Sequence, residues 1–230
     1  MDNKIILSTN RFIESTGFGK ITHSHSEQFT SLPRINIFKS FLGLKEFLVK
    51  PGRGLLPHVH ENMTAILVPL KGMLAQKSKK NPNTVISEGE VQLLQYRKGD
   101  LHIEYNLNKT KNLDCLVYML SSKNKNNHST VFKLRNQTNT IQKILESTLI
   151  NNQEEKVRFY VANFKPNVQQ TFSFKKSDKG IILYIVSGEI ILNEENHTLK
   201  KNDTYALWNK ETISFTTSKK SKFFILEISN

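Results

Sequence analysis

The sequence predicts an all-β chain built from two similar β-domains. Three observations carry this. Short apolar runs recur about every 10 residues, with Gly, Asp, Asn or Lys between them, as in sandwiches and barrels. Convincing long amphipathic helices are absent. The second half also echoes the first. Leu67-Val68-Pro69-Leu70-Lys71-Gly72 parallels Tyr184-Ile185-Val186-Ser187-Gly188-Glu189, and Glu88-Gly89-Glu90 parallels Lys201-Asn202-Asp203. Such an echo is what a duplicated unit leaves behind.

Taken in order, the predicted strands of the first half are Ile35–Val49, Met63–Leu74 (with Gly72 near its end), Val91–Tyr96, Leu101–Leu107 and Leu113–Leu120. Each is rich in Phe, Ile, Leu or Val and ends in turn-forming residues. Ser121–Asn139 carries Lys123-Asn124-Lys125-Asn126-Asn127 and little that is apolar. It reads as a linker or a long surface connection. Ile141–Ile150 has Ile141, Ile144, Leu145 and Ile150 apolar, a pattern that suits a helix or a strand. Strands then resume at Val157–Phe164, Gln170–Phe174, Gly180–Leu192, Thr198–Leu207, Ile213–Thr217 and Phe223–Ile228. The expected organisation is a first domain over 1–122, a connecting segment over 123–150 and a second domain over 151–230.

Composition narrows the class. The chain has 230 residues, enough for one large or two small domains. Apolar runs along its whole length exclude global disorder. The longest of them, Ile181–Val186 and Thr64–Leu70, fall far short of the about 20 residues of a membrane helix. Residues 1–7 show no signal-peptide pattern. One cysteine, Cys115, leaves no internal disulfide framework. A soluble, cytoplasmic, monomeric protein is expected. The net charge of +13 invites a nucleic-acid reading. The lysines, however, fall in small knots (Lys77/Lys79/Lys80, Lys175/Lys176, Lys200/Lys201, Lys219/Lys220/Lys222) within polar stretches. They read as turn and edge lysines that discourage strand pairing, and no interleaved aromatics offer base stacking. Nucleic acid is therefore not an expected partner.

Four residues carry the chemistry. His58 and His60 flank Val59, and His102 and Glu104 flank Ile103. In a strand, residues i and i+2 share a face. Each pair thus presents two ligand-type groups on one side. If the two strands meet inside a barrel, three imidazoles and a carboxylate converge, a set suited to a divalent first-row metal with open positions. No cysteine lies there to make a thiolate zinc site. His23-Ser24-His25 has the same spacing but sits in a polar, serine-rich stretch with no strand pattern around it. That pair is not expected to bind metal.

The stretch from Pro51 and Gly52 to His58-Val59-His60 resembles the first cupin motif, a glycine, five residues, then H-x-H. Gly99-Asp100-Leu101-His102-Ile103-Glu104-Tyr105-Asn106 resembles the second. Glu104, two residues after the histidine, and the spacing from Gly89-Glu90-Val91-Gln92 to His102 are similar to the pirin family. The second half, from Arg158-Phe159-Tyr160-Val161-Ala162 onward, is similar to the C-terminal cupin of bacterial pirin-like quercetinases. The resemblance implies a bicupin, two double-stranded β-helix (jelly-roll) barrels in one chain. It implies one divalent metal in the first barrel on His58, His60, His102 and Glu104. Iron(II) leads, with manganese, cobalt, nickel, copper and zinc as alternatives. It implies a quercetin 2,3-dioxygenase-type oxidoreductase acting on a small flavonol-like aromatic, with Glu104 as the catalytic base. It also offers a non-enzymatic reading, a metal- or redox-responsive regulator with a protein partner. Leu55, Leu56, Met63 and Leu94 are expected to line the cavity. Glu61 and Thr64 stand where the family has a basic residue and a carboxylate, which alters the charge expected at the pocket. Thr171–Lys179 holds no histidine, so the second barrel is expected to be metal-free.

Overall fold

The computed structural model describes residues 2–26, 40–79, 83–97, 99–123, 126–150, 154–174 and 180–229. In chain order the strands of the first half are β1 (Asn3–Ile6), β2 (Phe12–Thr16), β3 (Gly19–Ser26), β4 (Phe41–Val49), β5 (His58–His60) and β6 (Met63–Lys71). They continue with β7 (Met73–Ser78), β8 (Thr84–Ser87), β9 (Glu90–Tyr96), β10 (Asp100–Asn106), β11 (Leu113–Ser121) and β12 (His128–Lys133). The second half contains β13 (Thr140–Ile150), β14 (Glu154–Phe164), β15 (Gln169–Ser173), β16 (Gly180–Ser187) and β17 (Glu189–Leu192). The last strands are β18 (His197–Lys200), β19 (Thr204–Trp208), β20 (Thr212–Thr217) and β21 (Ser221–Ser229). No helix among the described residues is long and apolar enough to cross a membrane.

These strands make two barrels, each a large sheet facing a small one. The first pairs β12-β9-β6-β11-β4-β3-β2 with β5-β10-β7-β8, and the second pairs β1-β19-β16-β21-β14-β13 with β15-β20-β17-β18. The orders repeat: β9-β6-β11-β4 answers β19-β16-β21-β14, and β5-β10-β7-β8 answers β15-β20-β17-β18. The sequence echo lands on this repeat. Gly72 and Gly188, both at positive φ, turn the chain from the large sheet to the small one. Gly89 and Asn202, also at positive φ, make the corresponding turn back, in the left-handed region that Gly and Asn tolerate best.

Apolar runs are near-continuous where a sheet is covered on both faces. Residues 63–69 of β6 and 180–185 of β16 are all buried. One face of each large sheet meets the other barrel: Ile66, Val68, Leu116 and Tyr118 pack with Phe159, Ile182, Phe224 and Leu226 in one shared core. The other face lines the barrel's own interior. The second barrel is filled by aromatics, with Phe164, Phe215 and Phe223 at ring separations of 5.2–6.0 Å. The first carries smaller groups there, among them Ala65, Leu67 and Val117, and this leaves a cavity.

Several expectations change. The long runs Met63–Leu74, Gly180–Leu192 and Thr198–Leu207 each split at a tight turn into two strands belonging to different sheets. Ser121–Asn139 is not simply a linker. β12 pairs with β9 over six residue pairs from His128↔Gln95 to Lys133↔Glu90. As an edge strand with no buried residue it needs no apolar run. Ile141–Ile150 is strand, paired with β14. The serine-rich stretch around His23 and His25 is also strand, β3, held between β2 and β4. β12 and β13, both from the 123–150 segment, join different large sheets, and β1 joins the second barrel. Residues 35–39 of the first predicted strand, and residues 80, 124, 125 and 175–179, lie outside the described residues.

Candidate metal centre

The antiparallel register of β5 on β10 sets His102 directly opposite His58 and Asp100 opposite His60. On the other side β10 meets β7, which sets Glu104 opposite Gln76. Period-2 alternation then turns His58, His60, His102 and Glu104 inward, while Val59 and Leu101 are exposed. The loop before β5 is held against β10 through Gly54. A Cβ there would lie 2.4 Å from both the Glu104 carbonyl oxygen and the Tyr105 Cβ. The close approach lets the Leu55 amide donate to that carbonyl at 2.8 Å. Asn106, last in the second cupin-like motif, donates through its amide to the carbonyls of Val49 (3.1 Å) and Lys111 (2.8 Å). It thereby ties the end of β10 to the neighbouring loops.

One ring nitrogen from each of His58, His60 and His102 falls within a 4.8 Å group. The Nε2 atoms of His58 and His60 are 3.2 Å apart. The 3.2 Å separation suits two nitrogens about 2.0–2.1 Å from a common centre. Nδ1 of His58 lies 2.9 Å from the Leu56 carbonyl, and Nδ1 of His102 lies 3.3 Å from that of Asp100. Carbonyls only accept, so Nδ1–H donates and Nε2 keeps a lone pair. Burial, then the neighbouring imidazoles, lowers the His60 pKa to about 3. Burial and His58 also lower that of His102. Neutral imidazoles with converging lone pairs are what a divalent cation needs. This donor set therefore fits a transition metal.

The Glu104 carboxylate stands slightly apart, its Oε1 4.0 Å from His102 Nε2, and accepts from the Gln76 amide at 3.3 Å. Burial raises its pKa, against opposing effects of His58 and Gln76. Gln76 also donates to the Tyr96 hydroxyl at 2.9 Å. That hydroxyl lies 3.4 Å from His102 Nε2, and the phenol ring stacks on His102 with centroids 4.9 Å apart. Burial drives the phenol's pKa further up and keeps it protonated.

A cavity of about 380 Å³ opens beside the histidines, walled by Phe47, Met63, Leu67 and Val117 and edged by Lys45 and Glu104. Leu55 and Met63 line it as expected. Leu56 does not. It is 83% exposed and borders an outer hollow with Phe18 and Pro57. Leu94 is packed into the barrel core instead. Glu61 is exposed and Thr64 points to the outward face of β6, so neither lies among the cavity walls. His23 is buried against Glu14, at 3.3 Å, and His25 stacks on Phe41. Neither belongs to the converging group. In the second barrel, Glu189 pairs with Lys219, Glu194 with Lys210, and Glu195 accepts from Asn3 and Tyr205. Among the described residues no other group of three metal-ligating side chains converges.

Tyr96, Gln76 and Lys45 were not legible as site residues. Tyr96 could have been found, because it follows Leu94 at i+2 on a strand already assigned and so shares its inward face. Gln76 lies on β7, a strand that the apolar pattern did not separate from β6.

Two barrels with this strand order and an inward histidine cluster on β5 and β10 define a bicupin. Residues 147–228 match the model of the quercetinase C-terminal cupin domain. The fold matches YhhW from Escherichia coli at TM-score 0.83 and 16% identity, over 98% of this chain and 97% of that one. It matches the nickel(II) complex of bacterial pirin YhhW at TM-score 0.83 and 17% identity, over 98% of each chain. Quercetin 2,3-dioxygenase from Acinetobacter baumannii matches at TM-score 0.76 and 14% identity, over 97% of this chain and 85% of that one. No curated protein matches the sequence. The comparisons thus give the whole chain the bicupin fold and residues 147–228 the quercetinase C-terminal cupin match.

Proposed function

We propose that the chain is a metal-dependent oxygenase of the quercetin 2,3-dioxygenase kind, acting on a flavonol-like aromatic with iron(II) as its metal. The observation that carries this reading is the placement of three converging histidines at the edge of a largely apolar cavity of about 380 Å³. That volume falls in the range of small-molecule sites, about 300–1,000 Å³. His58, His60 and His102 would hold the metal, with Glu104 as a fourth or displaceable ligand. A metal there supplies Lewis acidity that lowers the pKa of a bound hydroxyl. Phe47, Met63 and Val117 hold the flat body of the substrate by apolar contact. Glu104 takes the hydroxyl proton at its carboxylate, and its raised pKa suits a base that must also release that proton. Gln76 keeps the carboxylate oriented while this happens.

The test is an aerobic assay of the protein loaded in turn with iron, manganese, cobalt, nickel and copper against a flavonol panel, following flavonol absorbance and oxygen uptake. Consumption of both with at least one metal supports the reading. No consumption with any of them overturns the oxygenase and leaves the metal-responsive regulator.

A further inference from the structure

Lys45 sits on β4, between β11 and β3, and faces the interior of the first barrel. Its register partners are Val117 on β11 and His23 on β3. Phe47, at i+2, shares its face and lines the same cavity, as do Val117 on β11 and Ala65 on β6. The ammonium is thus a charged group beside Phe47 and Val117 on the large-sheet side of a cavity whose small-sheet side carries His58, His60 and Glu104. Among the described residues it makes no hydrogen bond and no ion pair. The acidic group that acts on it most is Glu14, whose carboxylate is partly exposed and already lies beside His23. His60 and His23 are the other titratable groups near it, and neither offers a negative charge. A half-buried ammonium with no carboxylate in contact is costly to desolvate. A sequence that keeps it at the wall of a binding cavity is explained when the ligand brings the missing charge.

We propose that the cavity takes an oxyanion on an apolar body, with the anionic oxygen against Lys45 Nζ and the body among Phe47, Met63, Leu67 and Val117. The proposal rests on the cavity being the substrate site of the oxygenase reading, whose substrate would then bind as its anion or carry a carboxylate.

Cinnamate and cinnamyl alcohol share one apolar body and differ in charge at pH 7, so they make a suitable pair of probes. Their binding is measured by calorimetry on chelator-treated protein, where a metal cannot create the preference, and on nickel-loaded protein. The parent chain is expected to bind cinnamate more tightly by about 10–100-fold, the worth of one charged hydrogen bond. Lys45→Met should bring the two probes to within a few-fold of each other. Lys45→Arg should keep most of the preference, and it covers the case in which Lys45→Met folds poorly. Equal affinities in the parent, or an unchanged preference in Lys45→Met, overturns the proposal. Flavonol consumption by the metal-loaded parent reads the oxygenase separately. A chain that consumes flavonol but shows no Lys45-dependent preference refutes only this inference. One that shows the preference but consumes no flavonol refutes only the oxygenase.

Discussion

Glu104 is the residue where geometry and proton chemistry meet. Its carboxylate is buried, its pKa is raised, and its oxygen lies 4.0 Å from His102 Nε2. Glu104→Gln keeps an oxygen for weak coordination and the contact region of Gln76, but it cannot accept a proton at neutral pH. Metal content should largely persist while turnover falls about 10²–10⁴-fold, the usual cost of losing a positioned base. Parent and variant loaded with the same metal and assayed side by side decide this. Equal turnover would remove Glu104 from the chemistry. The histidines behave differently. His58→Ala or His102→Ala deletes one of three converging nitrogens and should abolish stoichiometric metal by elemental analysis. Substitution of His23, whose partner is Glu14, should leave it intact. Full occupancy in the His58→Ala/His102→Ala double variant would refute the assignment.

Strand pairing explains why these side chains meet at all. His58 and His102 oppose each other only because β5 lies in register on β10, and Gly54 lets the preceding loop come that close. Gly54→Ala puts a methyl 2.4 Å from a backbone oxygen of β10. The loop must move outward and take β5 with it. Metal affinity should drop about 10–100-fold, as for lost support of a ligand, while the second barrel keeps its fold. Unchanged affinity in a metal titration would show that β5 is held by other means. The counterparts of β5 and β10 in the second barrel are β15 and β20. Their sequences, Gln169–Ser173 and Thr212–Thr217, hold no histidine or cysteine, and phenylalanines occupy the interior beside them. Bound metal should therefore be about one per chain. A reproducible two would mean that a ligand set exists beyond the described residues.

What could be read in advance follows the same logic. The H-x-H and H-x-E pairs were visible because strand period alone fixes their common face. The turns at Gly72, Gly188 and Gly89 were visible because only certain residues tolerate positive φ. β3 and β12 were not. Their side chains are polar, and strand formation there is decided by neighbouring strands rather than by an apolar pattern. Tyr96 shows a third case: its strand was legible but its proximity to His102 depends on barrel closure.

At the scale of the whole molecule, the two barrels share a core and also a polar network buried in the same contact. Glu46 on β4 accepts from Arg11 at 2.8 Å and from Tyr184 on β16 at 2.7 Å. Burial pushes Glu46 up, but the Arg11 guanidinium and the two donors outweigh it and hold the carboxyl below its ordinary range. Asp114 is its diagonal neighbour, because Glu46 faces Leu116 across the β4–β11 pair. Burial and the charge of Glu46 push Asp114 up to about 6, and its Oδ1 lacks a hydrogen-bond partner. An acid whose folded pKa lies above its unfolded value of about 3.9 holds a proton in the folded state that the unfolded chain has lost. Stability from this group is therefore fully present below about pH 4 and declines as pH rises through about 6, by at most about 1.4 kcal/mol per pH unit. Asp114→Asn carries no such proton. Its amide can still donate to Glu46, and the buried charge is gone. The difference in unfolding free energy, variant minus parent, should rise between pH 4 and pH 6 and level off above that. Denaturant melts of both proteins at half-unit pH steps measure it directly. A difference that stays flat across this window would mean that Asp114 ionises normally at the contact between the barrels.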